Sequence, residues 1–150
     1  MSERRHAGIG RVLIAVYAVL ALAATGRSFV QIVRSFEEAP LAYALSAVAA
    51  VVYILATVAL AMPGDRWRPV ALAAVCFELV GVVVVGALSL THPELFAHDT
   101  VWSRFGMGYL FIPAVLPFLG LWWLRTHPPG PSAAIAAPTS TTDARTASGR

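Results

Sequence analysis

The sequence predicts an all-α membrane protein, a four-transmembrane-helix bundle with short loops. Hydrophobic residues make up 58% of the 150 residues and only 13% are charged, whereas a soluble domain usually carries about 25% charged residues. The mean hydropathy is +0.71. The apolar residues are gathered in four runs, separated by short segments that each contain proline. This pattern is typical of a chain whose main solvent is lipid.

Each apolar run is long enough to cross a bilayer as a helix. A hydrocarbon core of about 30 Å requires roughly 20 residues at about 1.5 Å rise each. The predicted spans are 12–33, 41–62, 70–90 and 102–124. Lipid cannot satisfy backbone polar groups, so each span must be a helix or a barrel strand. These runs are too long and too continuously apolar for barrel strands.

The first span has an alternative interpretation as a cleaved signal peptide. Arg4 and Arg5 precede a short apolar stretch that ends in Ala-Leu-Ala at residues 21–23, which resembles a cleavage site. Cleavage would leave three helices and a new N-terminus outside the cell. We favour a retained span because apolar residues resume at 29–33.

The charge distribution predicts the orientation of the bundle. All eleven basic residues are arginine. Eight lie on one side of the predicted membrane: Arg4, Arg5, Arg11, Arg66, Arg68, Arg125, Arg145 and Arg150. Three lie on the other: Arg27, Arg34 and Arg104. Arginine-rich short loops stay in the cytoplasm, so we expect a multi-pass cell-membrane protein of bacterial type with both termini cytoplasmic.

The positions of the tryptophans predict where the membrane surfaces lie. Trp102 and the Trp122–Trp123 pair are separated by about 30 Å of helix, so we expect them in aromatic belts at opposite membrane surfaces, with Trp67 at the inner one.

Residues 126–150 are rich in Pro, Ala, Ser and Thr and show no periodicity. They are predicted to form a disordered cytoplasmic tail.

Glu78 is the most informative residue, since it interrupts the third apolar run near its centre. An acidic side chain there costs on the order of 3 kcal/mol on insertion scales. It must therefore face protein or water, be protonated, or have a cationic partner. The helical wheel predicts an inward orientation, because small and polar residues share its face.

Comparable faces are predicted on all four spans, where small residues allow close helix approach and polar groups can bond across the seam. They comprise Tyr17, Ala21, Ala24, Ser28 and Gln31 in the first span; Tyr43, Ser46, Ala50, Tyr53 and Thr57 in the second; Ala71, Ala74, Glu78, Gly81, Val85 and Ser89 in the third; and Trp102, Gly106, Tyr109, Pro113, Pro117 and Gly120 in the fourth.

Arg27 is the expected partner of Glu78, with hydrogen bonds from Tyr17, Tyr53 or Tyr109 as alternatives. The candidate site is a buried polar cluster made of Glu78, Arg27, Gln31, Tyr17, Tyr53, Thr57 and Tyr109. Two roles stay open for Glu78: a protonatable ligand or carrier group, and a structural pin that holds the helix register.

No metal site or cofactor is predicted. His92, Glu94, His98 and Asp99 follow the third span, but their spacing fits no specific metal template. Thr91 and Glu94 are spaced as a capping box, which is the alternative for that pair. No span contains a histidine, so haem held between two helix histidines is not expected. Cys76 is the only cysteine, which excludes an intrachain disulfide.

Catalytic signatures are also missing. The sequence contains no phosphate-binding glycine-rich loop, no G-x-S-x-G and no H-E-x-x-H. The arginines form no basic face, so nucleic acid is not an expected partner. A non-enzymatic protein is therefore predicted.

Three short stretches resemble a known group of proteins. They are Ala-Thr-Gly-Arg-Ser at 24–28, Phe-Glu-Leu-Val-Gly at 77–81 and Thr-Val-Trp-Ser-Arg-Phe-Gly at 100–106. They resemble small, uncharacterised four-helix integral membrane proteins of actinobacteria, which implies location and architecture only. Size and a buried glutamate are also similar to small multidrug resistance transporters. Those carry the essential carboxylate in the first helix, whereas Glu78 lies in the third, so membership is not expected.

The leading functional prediction is an accessory or assembly partner of a membrane complex, working through helix surfaces that contact lipid, other membrane proteins or further copies of itself. The alternative is a proton- or cation-coupled small-molecule carrier that uses Glu78. A third option is a lipid- or quinone-binding protein with a tyrosine-lined interior.

Overall fold

The computed structural model describes residues 2–128, and within them the side chains of residues 8–34 and 36–128. This part of the chain is helical and contains no strand. The elements are α1 (Ser2–Ser35), α2 (Pro40–Ala61), α3 (Trp67–Thr91) and α4 (Ile112–Thr126), with 3₁₀ segments at Phe36–Glu38, Pro93–Leu95 and Ser103–Tyr109. Of the predicted tail at 126–150, Thr126 is the last residue of α4, and residues 129–150 lie outside the described residues.

Three helices are long and apolar enough to cross a membrane. They are α2, α3 and the part of α1 from Gly8 to Arg34, and the count rises to four if the bent pair Ser103–Tyr109 and Ile112–Thr126 forms one span. Helix α1 runs without a break through residues 21–23, and Ala21 and Ala24 are buried there. The residues around the suggested cleavage site are therefore part of the packed bundle.

The small and polar faces predicted from the helical wheel are the faces that pack together. In α3, every residue of the predicted face is buried: Ala71, Ala74, Glu78, Gly81, Val85 and Ser89. In α1 and α2 the predicted faces are buried except for Gln31 and Thr57, which are half-buried. Large apolar side chains cover the opposite faces and stay exposed. Consecutive helices pack on one another in chain order, as short connections require.

The predicted span at 102–124 is not a single helix. Ser103–Tyr109 and Ile112–Thr126 meet at an angle of 98°. Helix α4 has 15 residues and is about 22 Å long, which is shorter than the hydrocarbon core. Pro113 stands in its first turn, where the missing N–H costs nothing.

Left-handed backbone produces this bend. Arg104, Phe105 and Gly106 have φ of 50°, 58° and 78°, and Leu110 and Phe111 have φ of 55° and 58°. A side-chain-bearing residue in this region costs roughly 1–2 kcal/mol. Hydrogen bonds hold the turns: the Arg104 N–H donates to Ser89 Oγ at 2.7 Å, and the Phe111 N–H donates to the Gly106 carbonyl at 3.0 Å.

Glycines on α3 provide the room for this segment. A Cβ atom at Gly81 would lie 2.7 Å from the Trp102 ring, and one at Gly86 would lie 2.6 Å from the Phe105 ring. The prediction of Trp102 in a membrane-surface belt is wrong, because its side chain is only 2% exposed. A close-fitting glycine in the adjacent helix lets the indole enter the core instead.

The opposite end of α3 is fastened to the end of α4. The Arg68 guanidinium donates to the carbonyls of Leu124 and His127, at 2.6 Å and 2.8 Å. The last carbonyls of a helix have no intrahelical partner, so this arginine serves as a cap supplied by the neighbouring helix. The contact fixes α3 and α4 antiparallel and brings Gly120 beside Val75.

Candidate functional site

Glu78 lies at the middle of α3 and is completely buried. Its partner is Tyr17 of α1, whose hydroxyl donates to Glu78 Oε2 at 2.7 Å. Tyr17 is itself completely buried. A Cβ atom at Gly120 of α4 would lie 3.4 Å from the Tyr17 hydroxyl oxygen. Three helices therefore meet at this hydrogen bond, and it lies away from both lipid and water.

Two further aromatic side chains enclose the pair. Tyr53 of α2 is fully buried, and its ring centroid lies 6.3 Å from that of Tyr17. Its hydroxyl accepts a hydrogen bond from Trp102 Nε1 at 3.0 Å. The Trp102 ring lies on Gly81, which is one helical turn from Glu78 and on the same face of α3. The site thus takes residues from α1, α2, α3 and the segment before α4.

The second carboxyl oxygen, Glu78 Oε1, is buried and has no hydrogen-bond partner. A buried polar atom without a partner costs roughly 1–3 kcal/mol. Such an oxygen can carry a proton, or can accept a hydrogen bond from a donor that enters the bundle. This atom is the chemically open position in the site.

Arg27 does not pair with Glu78, so the expected partnership is wrong and one of its alternatives, Tyr17, is confirmed. The Arg27 guanidinium donates to the backbone carbonyl of Asp99. Because Tyr17 lies level with Glu78, Arg27 lies about 15 Å further along α1, beyond the reach of its side chain. Ser28 Oγ and Gln31 Oε1, near Arg27 in sequence, are buried without partners.

The remaining candidates lie outside the central pair. The Thr57 hydroxyl donates to the Tyr53 carbonyl of its own helix at 2.7 Å, and Tyr109 is half-buried at the end of its 3₁₀ segment. The structure therefore brings together Glu78, Tyr17 and Tyr53 of the predicted cluster. The structure adds Trp102 to this cluster. The sequence feature that pointed to it is Gly81, one turn from Glu78, where the missing side chain leaves room for a ring.

The residues considered for a metal form separate pairs. His92 Nδ1 lies 3.2 Å from Glu94 Oε1, and His98 Nε2 lies 3.5 Å from Glu38 Oε2. Among the described side chains, those of residues 8–34 and 36–128, no three histidine, cysteine or acidic groups come together as metal ligands would. The capping-box alternative is wrong, because the Thr91 hydroxyl donates back to the Ala87 carbonyl at 3.1 Å.

Comparison with known proteins finds no match: no protein-family model fits the chain, and no curated protein or solved structure matches it.

The Tyr17–Glu78 hydrogen bond predicts a coupled effect on stability. Tyr17→Phe leaves Glu78 without a donor, so we expect it to lower the free energy of unfolding by about 2 kcal/mol. In a Glu78→Met background, which keeps an apolar chain of similar length, the same change should cost much less. Unfolding in detergent, followed by circular dichroism, measures all four proteins of the cycle.

Tyr43→Phe is the matched control, because Tyr43 is also buried but stacks on His98 instead of contacting Glu78. It should change stability by about 0.5 kcal/mol or less. Equal costs for Tyr17→Phe in both backgrounds would show that the hydrogen bond contributes nothing.

Proposed function

We propose that this chain is a small, non-enzymatic membrane protein that acts as an accessory or assembly partner of a larger membrane complex. The observation that carries this proposal is an open groove of about 550 Å³ between α2 and α3. Apolar side chains line it, among them Ala47, Val51 and Leu55 of α2 and Val70, Ala73 and Phe77 of α3.

The groove has the properties of a helix-docking surface. Alanines at its floor allow a neighbouring helix backbone to approach closely, and packing of this kind drives helix association in membranes. Large apolar residues stand at its edges, with Val51 56% and Phe77 51% exposed. A partner helix would gain dispersion contacts along this length without any polar group being buried.

The closed interior favours the same role. Glu78, Tyr17 and Tyr53 are fully buried. Tyr17 is hydrogen-bonded to Glu78, and Tyr53 is hydrogen-bonded to Trp102. An interior filled in this way suits a structural scaffold, in which the Tyr17–Glu78 bond fixes α1 against α3. The working surfaces of such a scaffold are the outward faces of its helices.

In this proposal the bent pair, Ser103–Tyr109 and Ile112–Thr126, is a fourth, broken span. Both termini lie on the cytoplasmic side of a cell membrane. Irregular backbone at membrane depth is tolerated where protein covers it, and Ser103 and Gly106 are buried. Arg11, Arg66, Arg68 and Arg125 lie towards the end of the bundle where α1 begins and α4 ends, in agreement with the positive-inside rule.

Reporter fusions test this topology. Alkaline phosphatase fused after Arg125 should be inactive and green fluorescent protein fused there should fluoresce, because both report a cytoplasmic position. Phosphatase inserted after Glu38 should be active. An active phosphatase after Arg125 would mean that the bent pair returns to its starting side, and the chain would then have three spans.

A bulky side chain in the groove tests the docking role. We expect the protein expressed at its native level and purified in mild detergent to retain a membrane partner. Ala73→Phe should reduce the retained amount by roughly tenfold, since overpacking costs about 1–3 kcal/mol. Quantitative mass spectrometry of the purified samples measures the ratio.

Ala87→Phe provides the control, because Ala87 is an exposed alanine of the same helix that does not line the groove. It should leave the partner bound. Recovery of the wild-type protein alone and monomeric would contradict the accessory role, and equal loss in both variants would contradict the use of this groove.

The unpartnered Glu78 Oε1 favours a second candidate, a proton- or cation-coupled carrier of a small molecule. A carboxyl oxygen in the core of a bundle can take up a proton or a cation and release it. Helix α3 would then carry the titrating group, and Tyr17 would orient it through the bond to Oε2.

Glu78→Gln separates the carrier from the scaffold. If Glu78 is the coupling group, liposomes that contain the wild-type protein should show proton movement when small amines or acids are added one at a time. A pH-sensitive dye enclosed in the liposomes reports this movement. Glu78→Gln should abolish this movement and stay folded, because glutamine keeps an acceptor for Tyr17. Proton movement that is absent throughout, or equal in both proteins, would remove the carrier role.

A further inference from the structure

Trp102 stands between Glu78 and one end of the bundle. Its ring lies on Gly81, which is one turn from Glu78 in the direction of the end of α3 at Thr91. From Thr91 down to Gly81 is about 15 Å of helix. Residues 92–102, here called the strap, run from that end into the core and finish with this indole.

Phe96 of the strap is buried in the core, but the polar contacts of its outer part are few and exposed or half-exposed. Arg27 of α1 donates to the Asp99 carbonyl. His98 lies 3.5 Å from Glu38 and stacks on Tyr43 of α2, with ring centroids 5.8 Å apart. The His98 and Glu38 side chains are 48% and 61% exposed, and exposed ion pairs contribute little to stability. These attachments are therefore easy to break.

The inner end of the strap is rigid by comparison. The Thr100 hydroxyl oxygen accepts hydrogen bonds from the backbone N–H groups of Trp102 and Ser103, at 3.1 Å and 3.0 Å. Ser103 Oγ accepts one from the Thr100 N–H at 2.8 Å. Thr100, Val101 and Ser103 are buried. A closed hydrogen-bonded turn of this kind moves as one body with the indole that it carries.

The backbone that follows is suited to act as a hinge. Residues 104–106 have left-handed φ and ψ, a conformation that costs Arg104 and Phe105 roughly 1–2 kcal/mol each and that backbone of negative φ would not carry. The Arg104 N–H donates to Ser89 Oγ, and the Phe105 ring lies against Gly86; these two contacts tie the turn to α3. Strain at a turn that links a weakly held strap to α4 favours movement there.

We propose that the strap is a lid on Glu78: when Trp102 leaves Gly81, the open oxygen of Glu78 becomes reachable from water at the strap end of the bundle. The entering group is a small hydrogen-bond donor or cation, such as water or an ammonium group, because Glu78 Oε1 is an acceptor without a donor. The lid closes the site by placing an indole over Gly81 and by bonding to Tyr53.

Carboxyl labelling of the full-length protein in mild detergent tests the lid. A water-soluble carbodiimide with glycine ethyl ester converts a reachable carboxyl group into an amide, and mass spectrometry of peptides gives the labelled fraction. Exposed Glu37 is the reference within each sample. In the wild type, Glu78 should label far more slowly than Glu37. Trp102→Ala should raise the Glu78 rate by about tenfold, in proportion to the open population.

Strap variants distinguish a lid from a fixed plug. Arg27→Gln combined with His98→Ala leaves Trp102 intact but removes the outer attachments, and it should raise Glu78 labelling by about threefold. Arg68→Gln is the matched control: Arg68 also binds backbone carbonyls, but at the opposite end of the bundle, and its loss should leave the Glu78 rate unchanged. Gly81→Ala must displace the indole from α3, so it should raise Glu78 labelling as Trp102→Ala does. It replaces Trp102→Ala as the test if that variant does not fold.

Three results would overturn the lid. One is rapid labelling of Glu78 in the wild type, at the rate of Glu37. Another is an unchanged Glu78 rate in folded Trp102→Ala or Gly81→Ala. The third is an equal rise in the strap variant and in Arg68→Gln, since opening would then not depend on the strap. None of these outcomes bears on the α2–α3 groove, so the accessory role stands or falls separately.

Discussion

The structure depends on the requirement that a carboxyl group at the centre of an apolar bundle has a hydrogen-bond donor. Glu78 obtains it from Tyr17 at 2.7 Å, and that bond sets α1 against α3. A Cβ atom at position 120 would lie 3.3 Å from Val75 and 3.4 Å from the Tyr17 hydroxyl oxygen, so α4 packs closely on the pair at Gly120. At the far end of α4, Arg68 caps its last carbonyls. Burial of one acidic residue thus links three helices.

Glycines on α3 and aromatic side chains in the segment before α4 complete this arrangement. Gly81 and Gly86 leave room on α3 for the rings of Trp102 and Phe105. The left-handed turn at 104–106 places both rings on α3. Close contact with these glycines offsets part of the conformational cost of that turn.

The same features support a scaffold and an access device without conflict. A core filled by side chains leaves the outward helix faces as docking surfaces, and the α2–α3 groove has small residues among those that line it. The strap differs from the helices around it, because Phe96 is the buried anchor of its outer part and the polar contacts there are few and exposed. Stability is not uniform within a fold, and weakly held segments are where functional motion is found. The indole that ends this segment lies on Gly81, one turn from Glu78, whose Oε1 has no hydrogen-bond partner.

The amino-acid sequence alone determined the three long helices and the faces that they bury, because hydrophobic run length and the spacing of small residues on α3 depend only on local periodicity. It also singled out Glu78, since the cost of a charge in an apolar run does not depend on the fold. Only the tertiary structure decided which donor Glu78 receives, because the relative height of Tyr17 and Arg27 against α3 is set by how α1 packs. The bend after Trp102 was likewise beyond local reasoning: Arg104, Phe105, Leu110 and Phe111 have no intrinsic preference for positive φ. For Phe105 the reason is tertiary, because Gly86 of α3 accepts the ring that this backbone delivers.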